Sequence, residues 1–360
     1  GLYEFIKQEK ITIGNVRRPL RDTNGQDVEG SQHIENIQID GPDVFAGGRV
    51  FVIDPQFIEA ENLYSEQVRN LSVAASGVTS DLDLGFNLKG WWDAARDKER
   101  AVLATNSTLS LFLGKDTMVV HEGLLYVKPT ESLGLSEARI GPAGRPLNGL
   151  FSLMVFDQGQ SGVHEIEMKN GRPHDLDGTL IEAFPYKEAF AGVRIIKDGK
   201  SVVDKIKFIN SFQPTLSGDE LNWSGPDHRL SMTVYGEIKD HRLVILQLTG
   251  DPDNPIKKEP ALRHAVNVLQ ELSKKHPDLE IINAILGGTS GDVQAVFEDR
   301  FEYAKGRRGS KLQLALADHN GIRRMGTALI FRKKISDAAR GARLEDKTGG
   351  GAADVDTASR

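Results

Sequence analysis

The sequence predicts an α+β fold with a mixed, largely antiparallel sheet and packed helices. Short apolar runs rich in Val, Ile, Leu and Phe recur along the chain, separated by Gly, Asn and Asp turns, which is the pattern of half-buried strands. Hairpin signals join two pairs of these runs, at Asp198-Gly199 and at Lys239-Asp240-His241. The segment 260–277 instead carries its apolar residues at helical spacing.

In chain order, Val50-Phe51-Val52-Ile53 reads as a strand that Pro55 ends. Glu59 to Ser72 reads as a helix with Leu63, Val68 and Leu71 on one face. Strands are expected over 101–104, 109–113, 118–120, 123–127 and 150–156. Val193 to Ile196 runs into the Asp-Gly turn, and Leu230 to Tyr235 pairs with Leu243 to Leu248. Pro260 sits near the start of the long helix. Ala261, Leu262, Ala265, Val268, Leu269 and Leu272 form its stripe, and Pro277 closes it. A buried strand, Ile281 to Leu286, feeds the loop Gly287-Gly288-Thr289-Ser290-Gly291-Asp292. Closing strands are read at 293–297, 312–317 and 327–331. Residues 1–97 are expected to be a partly β extension and a candidate homo-oligomerisation arm. Residues 98–334 are the expected catalytic body, and 335–360 form a polar tail whose composition predicts disorder.

Composition narrows the function. The chain has 360 residues, 39% hydrophobic and 27% charged, and a formal net charge of −6. It carries one short basic run, Arg307, Arg308 and Lys311, which argues against nucleic acid as a partner. There is no cysteine, so disulfides, thiolate zinc sites and thiol nucleophiles are excluded. No run approaches the ~18 apolar residues of a membrane span. No basic n-region precedes an apolar segment, so the expectation is a cytoplasmic chain or an exported one whose leader has been removed.

Several residues stand out chemically. The loop 287–292 follows a buried strand, and its glycines let backbone N–H groups approach an anion, with Thr289 and Ser290 adding hydroxyl donors. Arg229 is the first candidate for bidentate phosphate binding, Arg194 a weaker one in a hairpin strand. Asp292 is the first candidate carboxylate, with Glu182 and Glu237 behind it. His228 is a candidate donor or acid–base group, and Asn106 a candidate hydrogen-bond partner for a sugar hydroxyl. The pair Trp91-Trp92 would either stack on a sugar ring or anchor the extension to the body. No cofactor is expected. His164, Glu165, Glu167, His174, Asp175 and Asp177 are the place a structural calcium would bind, but they lack EF-hand spacing, and a solvated loop is the simpler reading.

The order of these blocks resembles the phosphodiester glycosidase family over residues 98–334. Ala104-Thr105-Asn106-Ser107-Thr108-Leu109 is similar to the family's first turn, and Ala191-Gly192-Val193-Arg194-Ile195-Ile196-Lys197-Asp198-Gly199-Lys200 to its hairpin. His228-Arg229-Leu230-Ser231-Met232-Thr233 is similar to its arginine strand. Asn283-Ala284-Ile285-Leu286-Gly287-Gly288-Thr289-Ser290-Gly291-Asp292 is similar to its glycine-rich block. There are departures. Val193 replaces a proline, Leu230-Ser231 replaces a threonine, and the last block has no aspartate before its glycines. Ungapped, Gly288 stands at that aspartate and Asp292 at the family serine; gapped, they are Gly287 and Ser290.

The resemblance implies a glycoside hydrolase or transglycosylase acting on a glycosyl phosphodiester or related glycosidic bond, with a carbohydrate or sugar-phosphate substrate. It places Asn106, Gly192, Arg194, His228, Arg229 and the 287–292 loop around that substrate. The leaving group would be a phosphate oxygen, so charge compensation matters more than protonation. The missing aspartate keeps a different class open: a non-catalytic carbohydrate-binding, cell-envelope or phage structural protein with the same fold.

Overall fold

The computed structural model describes residues 9–41, 46–64, 86–108, 119–127, 151–157, 159–169, 172–205, 229–250, 259–303 and 322–335. The N-terminal strands are β1 (Lys10–Thr12), β2 (Ser31–Asp40), β3 (Gly47–Ile53) and β4 (Ile58–Tyr64). A short helix α1 (Leu88–Ala94) precedes β5 (Ala101–Thr105), β6 (Val119–His121), β7 (Leu124–Val127) and β8 (Phe151–Asp157). Then come β9 (Gln160–Glu165), β10 (Glu167–Lys169), β11 (Arg172–His174), β12 (Glu188–Lys197) and β13 (Lys200–Ser201). The hairpin β14 (Met232–Ile238) and β15 (Leu243–Thr249) leads to helix α2 (Leu262–Lys275). The chain closes with β16 (Ile281–Thr289), β17 (Gln294–Phe297), β18 (Arg300–Tyr303) and β19 (Thr327–Lys333).

A twelve-stranded sheet runs β1-β2-β3-β15-β14-β16-β12-β6-β7, with β8, β9 and β13 attached through β12. A five-stranded sheet runs β18-β17-β5-β19-β4, and β10 pairs with β11 alone. The architecture is mostly sheet, with two α-helices among the described residues, and so falls in the α+β class.

Three apolar layers hold it together. Leu262, Ala265, Leu269 and Leu272 of α2 pack on Val193, Val234, Leu246 and Leu286 of the large sheet. The opposite face, with Phe51, Phe190, Tyr235 and Ile285, packs on Leu103, Phe297, Leu329 and Phe331 of the small sheet. The outer face of the small sheet is covered by Leu88, Trp91 and Trp92 of α1. Alternation along each strand sends successive side chains to opposite layers, so both sheets are apolar on both faces.

The expected hairpins form. Asp198 and Gly199 take φ of 49° and 75°, the left-handed values a two-residue hairpin turn requires. The α2 stripe is buried, and Lys274 and Lys275 lie in its last turn, where cations suit the helix dipole. One expected helix does not form. Residues 59–64 of the segment read as Glu59–Ser72 belong to strand β4, because Ile58 to Tyr64 pairs residue for residue with β19, and long-range pairing overrides a loose helical spacing. Residues 65–72 lie outside the described residues, as do the strands expected at 109–113 and 312–317 and the tail 336–360. The segment 1–97 contributes β1–β3 to the large sheet and β4 to the small one. Among the described residues no helix is long and apolar enough to cross a membrane.

Candidate functional site

The site grows from the end of β5. Past Thr105 the chain enters the space between the two sheets, at the end of β16 where the glycines lie. Ser107 O accepts the Gly288 N–H at 3.0 Å, and Thr108 Oγ1 donates to Ala191 O on β12 at 3.0 Å. Residues 107–108 thus wedge between β16 and β12. Gly287 is bare because a Cβ there would lie 2.6 Å from Ser107 O. The segment read as a loop is strand through Thr289, followed by a single 3-10 turn, Ser290–Asp292.

Asn106 is the centre of a buried polar network. Its Oδ1 accepts from Thr233 Oγ1 at 2.7 Å and from Gln247 Nε2 at 3.4 Å. The Tyr235 hydroxyl donates to the Asn106 carbonyl and lies 3.0 Å from Thr105 Oγ1. Gln247 Nε2 also donates to Gln294 O at 2.9 Å. The Gln294 amide donates to Gly291 O at 2.8 Å and Arg323 O at 2.9 Å, which ties the 3-10 turn to the segment before β19 that carries Arg323. One donor is left over: Asn106 Nδ2 is buried and has no hydrogen-bond partner among the described residues. A Cβ built on Gly288 would sit 2.5 Å from that nitrogen and 3.4 Å from Asp292 Cβ.

Asp292 is 16% exposed and lies 3.5 Å from the Arg323 guanidinium. Burial pushes its carboxyl above the usual carboxylate range, and Arg323 pulls it partly back. The arrangement therefore offers a neutral N–H donor, a guanidinium and a weakly basic carboxylate close together. Such a set can hold an anionic or hydroxylated ligand and accept a proton from water.

The other sequence candidates are distributed differently. Arg229 precedes β14, whose first residue Met232 pairs with Thr289, so it lies at the same end of the paired strands as the turn; its Nη1 donates to Glu259 O at 3.3 Å. Gly192 lies beside the wedge, where a Cβ would meet Leu286 O at 2.4 Å. Arg194, the weaker phosphate candidate, is buried in its hairpin strand, with its guanidinium on Asn283 Oδ1 at 2.9 Å and Glu165 at 3.2 Å. Glu237, a second-rank candidate carboxylate, is buried and accepts from Asn283 Nδ2 at 2.9 Å. Its register partner Asn283 is six positions from Thr289, about 20 Å along the strand, which separates Glu237 from the turn. Glu182 is exposed between β11 and β12. Trp91 and Trp92 are interior: Trp91 Nε1 donates to Met325 O at 2.9 Å, and both rings fill the layer under α1, so neither presents a face to a sugar. His228 lies outside the described residues.

Carboxylates of the 164–177 cluster already have protein partners. Asp175 meets His164 at 3.0 Å, Glu165 meets Lys197 at 2.8 Å, and Asp177 accepts from its own turn at Thr179 N. Among the described residues no group of three or more His, Cys, Asp or Glu is placed to hold a metal ion.

Sequence reasoning missed Arg323, Gln247 and Gln294. For the glutamines a signal existed: each is a lone polar residue inside an apolar strand, in Leu243-Val-Ile-Leu-Gln247-Leu and Val293-Gln294-Ala-Val-Phe297. Arg323 had no local signal.

No known family's sequence model matches the chain, and no curated protein matches it. Among solved structures, the chain is similar to the zebrafish N-acetylglucosamine-1-phosphodiester alpha-N-acetylglucosaminidase catalytic domain auto-inhibited by its pro-peptide. That match has 11% identity and a TM-score of 0.48, and covers 93% of this chain and 86% of that one. It is also similar to a hypothetical protein from Synechocystis, at 11% identity and a TM-score of 0.41, covering 90% and 68%. A third is a putative exported protein from Burkholderia pseudomallei, at 10% identity and a TM-score of 0.42, covering 80% and 74%. These are likenesses of chain path at low identity and carry no argument about activity.

Proposed function

We propose that the chain is a glycoside hydrolase or transglycosylase acting on a glycosyl phosphodiester or a related glycosidic bond. The observation that carries this reading is the meeting of Asn106, from the first block of the resemblance, with Gly288 and Asp292, from its last. These stretches are far apart in sequence and share no structural need for an unpartnered amide donor. In the proposed reaction the water oxygen bonds to the anomeric carbon and its proton passes to Asp292. The phosphate leaves with the electron pair of the broken C–O bond. Arg323, and Arg229 at the same end of the strands, compensate the phosphate charge, and Asn106 Nδ2 donates to the substrate.

The test is incubation with a panel of sugar-1-phosphodiesters and ordinary glycosides, with sugar release followed by mass spectrometry. Release that Asp292→Asn lowers by at least about 100-fold, within the usual contribution of general acid–base catalysis, supports the reading. No release from any member of the panel, or equal release by the variant, overturns it.

A second reading, a non-catalytic carbohydrate-binding protein, has its own support. Either alignment puts a glycine where the family has its aspartate, and Asp292 is already engaged by Arg323. Binding of a panel member without turnover would favour it.

A further inference from the structure

A concavity lies where the start of β3 and the end of β15 face the edge strand β18. It is a cleft of about 520 Å³, within the range of about 300–1,000 Å³ that encloses a small organic ligand. Gly47 and Gly48 leave part of its floor without side chains, and at Gly48 none fits, since a Cβ would lie 2.7 Å from Leu248 Cδ2. Its walls carry charges of both signs. Arg49 pairs with Glu302, and Arg300 lies 3.1 Å from Glu35 and 3.8 Å from Glu302. The Arg300 guanidinium carbon also lies 4.6 Å from the centre of the Phe297 ring, over its face. Buried Gln247 forms the inner wall, its Oε1 accepting from Arg49 Nε at 3.1 Å while its Nε2 reaches Asn106. Tyr303, 37% exposed, lines the cleft on β18.

The balance of charge selects the ligand. An anion would have to draw the arginines from their glutamates, and a cation the reverse, and each would leave a charge poorly compensated. A neutral polyol can donate to the carboxylates and accept from the guanidiniums at once, breaking neither pair. Fork-shaped Arg, Glu and Gln groups match neighbouring hydroxyls bidentately, and a partly exposed ring offers apolar surface to the C–H face of a sugar. We infer that this cleft is a binding subsite for a neutral oligosaccharide, separated from the Asn106–Asp292 site by Gln247. The inference deepens the carbohydrate reading above by adding a place for the glycan beyond the reacting sugar, but it does not depend on turnover.

The experiment is calorimetric titration of the full chain with chitotriose, maltotriose, cellotriose and mannotriose, with inorganic phosphate and trigalacturonate as anionic comparators. The expected result is saturable binding of at least one neutral trisaccharide, weakened at least about tenfold by Arg300→Ala and by Tyr303→Ala. Both cleft substitutions are at partly exposed positions, and their melting temperatures report whether the fold is kept. Failure of every neutral trisaccharide to bind overturns the inference. So does binding that neither cleft variant weakens, or tighter binding of the anions. Turnover of the phosphodiester panel is scored separately, so this subsite and the proposed reaction can fail independently.

Discussion

The Asn106 amide nitrogen occupies the space where a side chain at Gly288 would begin, 2.5 Å from the Cβ position. Asn106 cannot retreat cheaply, because its Oδ1 is held by Thr233 and Gln247. Gly288→Ala is expected to destabilise the fold by about 1–3 kcal/mol through overpacking and to abolish ligand binding at the Asp292 site. Urea unfolding and ligand titration check the two effects.

Asn106→Leu removes the acceptor of the buried Thr233 hydroxyl, while Gln247 Nε2 keeps its bond to Gln294 O. The expected loss is about 1–3 kcal/mol for the hydroxyl left unsatisfied, read as a lower urea midpoint with an unchanged slope. Asn106→Asp, which keeps the acceptor, should lose less stability but lose anion binding, since it places a second carboxylate beside Asp292.

Asp292 titrates above the ordinary carboxylate range because it is buried, and Arg323 opposes that shift. If Asp292 is the base, the acid limb of the rate–pH profile should lie above that range. Arg323→Ala removes the opposing cation, so the limb should move to higher pH. A limb that stays in place would dissociate Asp292 from the rate.

Glu188, His121 and Asn62 form a second titrating group at the junction of β12, β6 and β4. His121 Nδ1 is 2.7 Å from Glu188 Oε1, and Asn62 N and Nδ2 donate to Oε2 at 3.2 and 3.1 Å. The carboxylate raises the His121 pKa. A raised folded-state value means the pair's stabilisation is complete below the unfolded value near 6.5 and is lost as pH rises through the folded value. Melting temperature should therefore fall between pH 6 and 9 in the wild type more than in His121→Gln.

Trp91 anchors α1 through its ring and its bond to Met325 O. Trp91→Ala should cost about 3–5 kcal/mol, while oligosaccharide affinity of the remaining folded protein stays unchanged. A selective loss of affinity at full stability would return the ring to a binding role.

Much of the fold was legible because the signals are local. The Asp198-Gly199 turn, the β14–β15 hairpin and the α2 stripe each depend on neighbours within a few residues, and each forms. The reading of Glu59–Ser72 failed for the opposite reason, since β4 exists by pairing with β19, about 270 residues away. Arg194 and Glu237 show the same limit: local sequence offered both as substrate-facing candidates, but burial decided that Arg194 binds Asn283 and Glu165 and that Glu237 binds Asn283.

From the sequence alone follow the α+β class, the absence of thiol chemistry and the candidacy of Asn106 and Asp292, since these depend on residue type and short-range spacing. Only the tertiary structure decided that Asn106 meets Gly288, that Arg323 faces Asp292, and that the tryptophans are interior. Those relationships are set by which strands pair and which faces are covered, and pairing across hundreds of residues leaves no trace in any local window.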